Sequence, residues 1–131
     1  MSIAVGDTVA ELRRPGSLQL WNRLAGVNDE FADHHLDDEV GRHEGFPSAF
    51  GMAPLTFALL QTMLRDWVGD DGRLVSVSIQ LRSPWLRGRT LVAGGQVTTI
   101  DGSMVHLDVW ADDDTGTRLV KGDACVELAA G

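Results

Sequence analysis

Residues 28–39, NDEFADHHLDDE, hold six carboxylates around two adjacent histidines, His34 and His35. Three chemistries are open to such a cluster. In water it is an acidic loop, which is what most runs of charge are. Around a metal, the available ligands are His34, His35, Asp37, His43 and Glu44. Adjacent histidines point in divergent directions, however, and the chain has neither a His-x-x-x-His pair nor the cysteines of a zinc cage. As an acid/base site, a carboxylate and a histidine on one loop hold a single water between them. Imidazole is the side chain that titrates closest to neutrality. Two registers give the same spacing, Asp29 with His34 and Glu30 with His35.

The rest of the chain must position that segment. At 131 residues and 44% apolar composition, it has the size and content of one domain with a real core. A net charge of −8 argues against nucleic acid and anionic membrane surfaces as partners, so a phosphate-bearing ligand would need a local basic patch. The lone Cys125 can form neither an internal disulfide nor a zinc cage, which suits a reducing cytoplasm. The first residues lack the basic start and apolar run of a secretory signal, and no apolar stretch approaches the roughly 20 residues that span a bilayer. A cytoplasmic location is expected.

Hydrophobic periodicity separates the chain into elements. Residues 5–14 read as a first strand, stopped by Pro15-Gly16, and Ser17 is placed to cap a helix over 17–27. Over 51–69, Met52, Leu55, Leu59, Leu60, Met63, Leu64 and Trp67 recur at helical spacing with few charges elsewhere. That pattern predicts one long helix buried on most sides, starting near Gly51 because Pro54 fits only a first turn. The period then becomes two: 73–85 sets Val75, Val77, Ile79 and Leu81 against Ser76, Ser78, Gln80 and Arg82. Strands over 90–100, 103–111 and 117–128 follow, the first pair joined at Asp101-Gly102. Trp67 and Trp85 read as core or interface rather than ligand stacking, and His106 as outward- or partner-facing. The expected architecture is α+β: an antiparallel sheet wrapped around one central helix, the hotdog arrangement.

These pieces resemble the MaoC-like hydratase/dehydratase family of hotdog proteins, which includes (R)-specific enoyl-CoA hydratases. The family signature, an Asp, four residues, a His and then an acid, reads DEFADHHLD from Asp29. The Gly-Met that opens the central helix reads FGMAPLTFALL from Phe50. With VGD near the start and four strands after the helix, the likeness covers nearly the whole chain. DWVG (66–69), RSPW (82–85) and the paired histidines are similar to the small single-hotdog subunit of actinobacterial steroid side-chain enoyl-CoA hydratases. The sequence departs from the pattern at Phe31 and Ala32, where the family usually has Asn-Pro, and at Phe50, where it commonly has His.

The resemblance implies one MaoC-like hotdog domain over residues 1–131. The implied reaction adds water to a trans-2-enoyl-CoA to give a 3-hydroxyacyl-CoA, or reverses that step, on an acyl group that extends to bulky steroid or polyketide-like chains. Asp29 and His34 are the implied acid/base pair, and the backbone N–H of Gly51, at a helix N-terminus, the implied donor to the thioester oxygen. His35 within HLD keeps the Glu30/His35 register in view. Coenzyme A enters as part of the substrate, with no separate cofactor and no metal. Arg82, Arg87 and Arg89, in LRSPWLRGR, are the candidates to meet its phosphates. The implied assembly is a homodimer, or a heteromer with a second MaoC-like subunit, joined sheet edge to sheet edge. Two alternatives stand beside the hydratase: a non-catalytic subunit supporting a partner's site, and an acyl thioesterase, which the fold also hosts.

Overall fold

In the computed structural model, residues 2–17, 20, 38, 42 and 53–130 are described. The elements described from end to end are β1 (Thr8–Pro15), α1 (Ala53–Val68), β2 (Gly72–Leu81), β3 (Thr90–Asp101), β4 (Met104–Asp113) and β5 (Arg118–Leu128). A short 3-10 turn, Gly69–Asp71, joins α1 to β2.

The strands make a single antiparallel sheet in the order β1-β3-β4-β5-β2. Consecutive β3, β4 and β5 form its centre, as short turns between alternating strands require. Asp101 pairs with Met104, so the first hairpin turns through Gly102 and Ser103, and Gly102 takes a positive φ of 61°. The expected Asp-Gly turn is thus present.

Apolar residues from every strand and from α1 join in one buried cluster. β4 shows the pattern most cleanly, with Val105, Leu107, Val109 and Ala111 buried and His106 and Asp108 exposed between them. From the helix come Leu60, Met63, Leu64 and Val68, with Leu60 and Leu64 fully buried. Each such side chain contributes roughly 1.5–3 kcal/mol relative to an exposed one. Alanine, leucine, methionine and glutamine favour the helix intrinsically. It stops at Gly69, whose φ of 53° is left-handed, a conformation that glycine adopts without steric cost. The α+β hotdog arrangement expected from the periodicity is the one observed.

The helix is buried on most sides, as expected, with Ala58, Thr62, Arg65 and Asp66 forming an exposed stripe at i, i+4, i+7 and i+8. One feature differs in detail. In β2, the pairing with β5 shifts register between Leu74 and Ser76. This bulge turns Val75 outward, 42% exposed, and brings Leu74 into phase with Val77 and Ile79 against the core. Leu81 keeps the inward phase, yet lies 61% exposed at the end of this edge strand. Among the described residues, no helix is long and apolar enough to cross a membrane.

Candidate active-site end of the sheet

The functional expectations meet the described structure at one end of the sheet, where β1 and β2 finish, β3 begins, and β4 turns into β5. Pro15 pairs with Thr90, Leu91 with Asp113, Asp112 with Arg118, and Leu81 with Val120. Six of the 11 basic residues lie along this end: Arg13, Arg14, Arg82, Arg87, Arg89 and Arg118. In a chain of net charge −8, more than half of the basic residues thus gather at one end. Asp112, Asp113 and Asp114 are interleaved with them, Asp114 pairing with Arg89 and Asp112 with Arg118.

The loop 82–89 between β2 and β3 carries Arg82, Arg87 and Arg89, and its backbone is closely anchored. Arg82 and Ser83 both donate their N–H to the Leu119 carbonyl, at 2.8 and 3.2 Å. Trp85, 3% exposed, inserts beneath the loop, and its indole Nε1 donates to the Arg89 carbonyl at 2.8 Å. The same carbonyl accepts the Gly16 N–H at 2.9 Å, while the Gly88 N–H donates to the Gly16 carbonyl at 3.2 Å. The loop is therefore bound to the end of β1 at two points and pinned from within by a buried indole. Trp85 fulfils its expected core role.

On this base the three arginines reach different acceptors. Arg82 Nη2 donates to Gln80 Oε1 at 3.0 Å. Arg89 Nη1 approaches Asp114 Oδ2 at 3.5 Å, and Asp114 Oδ1 also accepts the Thr90 N–H at 2.9 Å. Arg87 Nη1 pairs with Asp38 Oδ2, at the end of the acidic segment. This contact joins two positions 49 residues apart and brings Asp38 against the arginine loop.

The β4–β5 turn backs the loop. Asp113, 9% exposed, accepts the N–H of Thr115 at 2.9 Å, its hydroxyl at 2.5 Å, and the N–H of Thr117 at 3.0 Å. Burial pushes this carboxyl up, but the Thr115 hydroxyl, the N–H groups of Thr117 and Thr115, and the nearby Arg89 charge outweigh it and hold its pKa below the ordinary value. An Asp followed at two and four positions by Thr is a local turn signal, so the sequence contained the means to find it. Beside the turn, Arg118 bonds Asp112 through Nε at 2.9 Å and Nη2 at 3.4 Å, and lies 5.6 Å from the Trp110 ring centroid. The Asp112 bond raises the Arg118 pKa, burial opposing it and the Asp112 charge adding to it.

Ser17 is confirmed as a cap: its Oγ accepts the Leu20 N–H at 3.1 Å, and Leu20 is helical and packs on the core. Asp29, His34 and Gly51, with the alternative pair Glu30 and His35, lie outside the described residues. The metal candidates His34, His35, Asp37, His43 and Glu44 do so as well. Among the described residues, no three potential metal ligands come together. What is described nearby is α1, which begins at Ala53 after Gly51, and Asp38 of the acidic segment, which is held by Arg87.

No family model matches the chain. It is 25% identical over 125 residues to the 3-oxo-4,17-pregnadiene-20-carboxyl-CoA hydratase beta subunit of Mycobacterium tuberculosis, with 95% of each chain covered. Among solved structures, it matches a chain of the ChsH1–ChsH2 complex of Mycobacterium tuberculosis with a TM-score of 0.87 at 22% identity, over 98% of this chain and 100% of that one. It matches the (R)-hydratase of A. caviae involved in PHA biosynthesis equally well, with a TM-score of 0.87 at 21% identity over 98% of both chains. The chain has the MaoC-like hotdog fold. The resemblance read from its signature segments is thus borne out. Within the MaoC-like hotdog fold, the sheet end just described is the end carrying the anchored arginine loop and the last part of the acidic segment.

Proposed function

We propose that this chain is an enoyl-CoA hydratase of the MaoC type, acting in the cytoplasm as a single hotdog domain over residues 1–131. End-to-end likeness to the hydratase beta subunit carries the reading. In the proposed reaction Asp29 and His34 hold one water. As its oxygen attacks the β-carbon of the trans-2-enoyl thioester, the pair takes a proton from it and returns a proton to the α-carbon. The electron pair of the C=C bond passes meanwhile toward the thioester oxygen. The Gly51 N–H, at the positive end of the helix dipole, stabilises that developing charge. Loss of water from a 3-hydroxyacyl-CoA is the same path reversed. Asp29 and His34 are preferred to Glu30 and His35 because the signature acid is an Asp.

The arginine loop supplies the positive charge that a coenzyme A thioester needs on an acidic protein. Arg82 and Arg89 face the phosphates, and Arg87 stands between them in the chain with Asp38 as its partner. No further cofactor takes part, and the acyl group extends to bulky, steroid-like chains. A heteromer with a second MaoC-like subunit is the proposed assembly, since the curated relative is a beta subunit and a solved neighbour is a complex of two proteins.

That same observation favours a second reading, in which this chain shapes a partner's site without itself catalysing. Hydration of a short and a bulky enoyl-CoA, followed by loss of the conjugated thioester absorbance, separates the two. The chain is assayed alone and with any subunit that copurifies. Asp29→Ala and His34→Ala abolish turnover on the first reading. If both variants keep wild-type turnover, the assignment of catalysis to these two residues fails. Release of free thiol instead of hydration would indicate a thioesterase.

A further inference from the structure

We infer that Arg87 is a positioning residue for hydration: through its ion pair with Asp38 it fixes the chain that follows Asp29 and His34, and it does not hold substrate. The inference rests on the hydratase reading above.

Three observations carry it. First, the loop arginines differ in what they reach. Arg82 bonds a residue two positions away in the chain, and Arg89 sits at a loose 3.5 Å from a turn of the same sheet. Of the three side chains, that of Arg87 alone reaches a segment that precedes α1. Second, the base of the contact is stiff, because Gly88 next to it is bonded to Gly16, and Arg89 to both Gly16 and the buried Trp85. Third, the reach of the chain is short. Asp38 follows His34 by four residues, a span of at most about 14 Å, so holding Asp38 bounds where the imidazole can be carried. The carboxylate is also the more covered partner, with its side chain 24% exposed against 47% for Arg87. An ion pair at this level of exposure contributes little to stability. Its consequence is geometric, and small displacements of an acid/base pair cost far more in rate than in folding.

The test uses the full chain, with its copurifying subunit if there is one, and two thioesters of the same enoyl acid. One carries coenzyme A; the other carries N-acetylcysteamine, which has no phosphates. Arg87→Gln, Asp38→Asn and the exchanged double variant Arg87→Asp/Asp38→Arg are compared with wild type, circular dichroism and Tm reporting that each is folded. Each single variant is expected to lower kcat about tenfold on both thioesters, with KM for the CoA ester changed less than about twofold, and the exchange to restore most of kcat. If Arg87→Gln raises KM for the CoA ester alone while Asp38→Asn is silent, Arg87 is a phosphate ligand and the inference is overturned. Wild-type kinetics in both single variants overturn it equally. A wild-type protein that hydrates neither thioester overturns the hydratase reading and this inference with it, whereas an active wild type with unchanged variants overturns the inference alone.

Discussion

Gly16 and Trp85 meet so closely that a Cβ at position 16 would lie 2.7 Å from the indole Nε1 and 3.0 Å from the Arg89 carbonyl oxygen. Neither neighbour can yield without breaking the bond between them. Gly16→Ala is therefore expected to destabilise the fold by about 1–3 kcal/mol, as overpacking does. Denaturant unfolding measures this, and an unchanged midpoint would show that the loop tolerates the displacement.

Gly94 and Trp110 form a second obligatory pair, on the face of the sheet away from α1. They are cross-strand partners, and a Cβ on Gly94 would come within 2.8 Å of the Trp110 indole. Gly94→Ala is expected to cost about 1–3 kcal/mol in wild type and much less in a Trp110→Ala background. Additive losses in the double-mutant cycle would remove the steric explanation.

Asp113 gives a pH dependence with a definite sign. Its folded pKa lies below the usual 3.8, so the stability it contributes is complete above about pH 4 and is lost as pH falls through the folded value. Asp113→Asn keeps the shape and removes the titration. The variant is expected to be about 1–2 kcal/mol less stable at pH 7, the gap closing below about pH 4. Unfolding midpoints at several pH values test this; a constant gap would place the loss elsewhere than in the charge.

Arg89, loosely held by Asp114, is the loop arginine best placed to exchange its partner for a phosphate. Arg89→Gln is expected to raise KM for an enoyl-CoA about tenfold with kcat nearly unchanged, the loss of one charge-assisted hydrogen bond. The phosphate-free N-acetylcysteamine thioester should be indifferent to the change. Equal effects on both substrates would exclude a phosphate contact.

The core makes the plainest prediction. Leu64→Ala, at a fully buried position, should cost about 2–5 kcal/mol, whereas Asp66→Ala on the exposed stripe of α1 should stay within about 0.5 kcal/mol.

Much of this architecture was legible because it follows from periodicity. The spacing of Leu60, Met63 and Leu64 marked the helix, and the alternation in β4 marked a half-buried strand. The bulge at Val75 was not legible, since a run of alternating Val and Ser looks the same whether or not one residue is inserted into the ladder. Ser17 announced its cap through a local rule. Arg87 and Asp38 obey no local rule; their meeting depends on the whole chain, and neither spacing nor composition signals it. The proposed acid/base pair is marked only by the likeness of a short signature, and Asp29, His34 and Gly51 lie outside the described residues.

The strand order has a consequence for how the molecule comes together. β3, β4 and β5 find one another across turns of a few residues, while β1 and β2 stand at opposite edges, about 19 Å apart across four strand spacings. The chain that leaves β1 must cross that width, by way of α1, before it can enter β2. Local pairings form early and distant ones late, so the central meander is the seed and the crossing segment is the last to be committed. Asp29, His34 and Gly51, proposed above for the chemistry, lie in that crossing in sequence. Changes made to them need not slow the birth of the sheet, which leaves this stretch free to be reshaped around a new ligand.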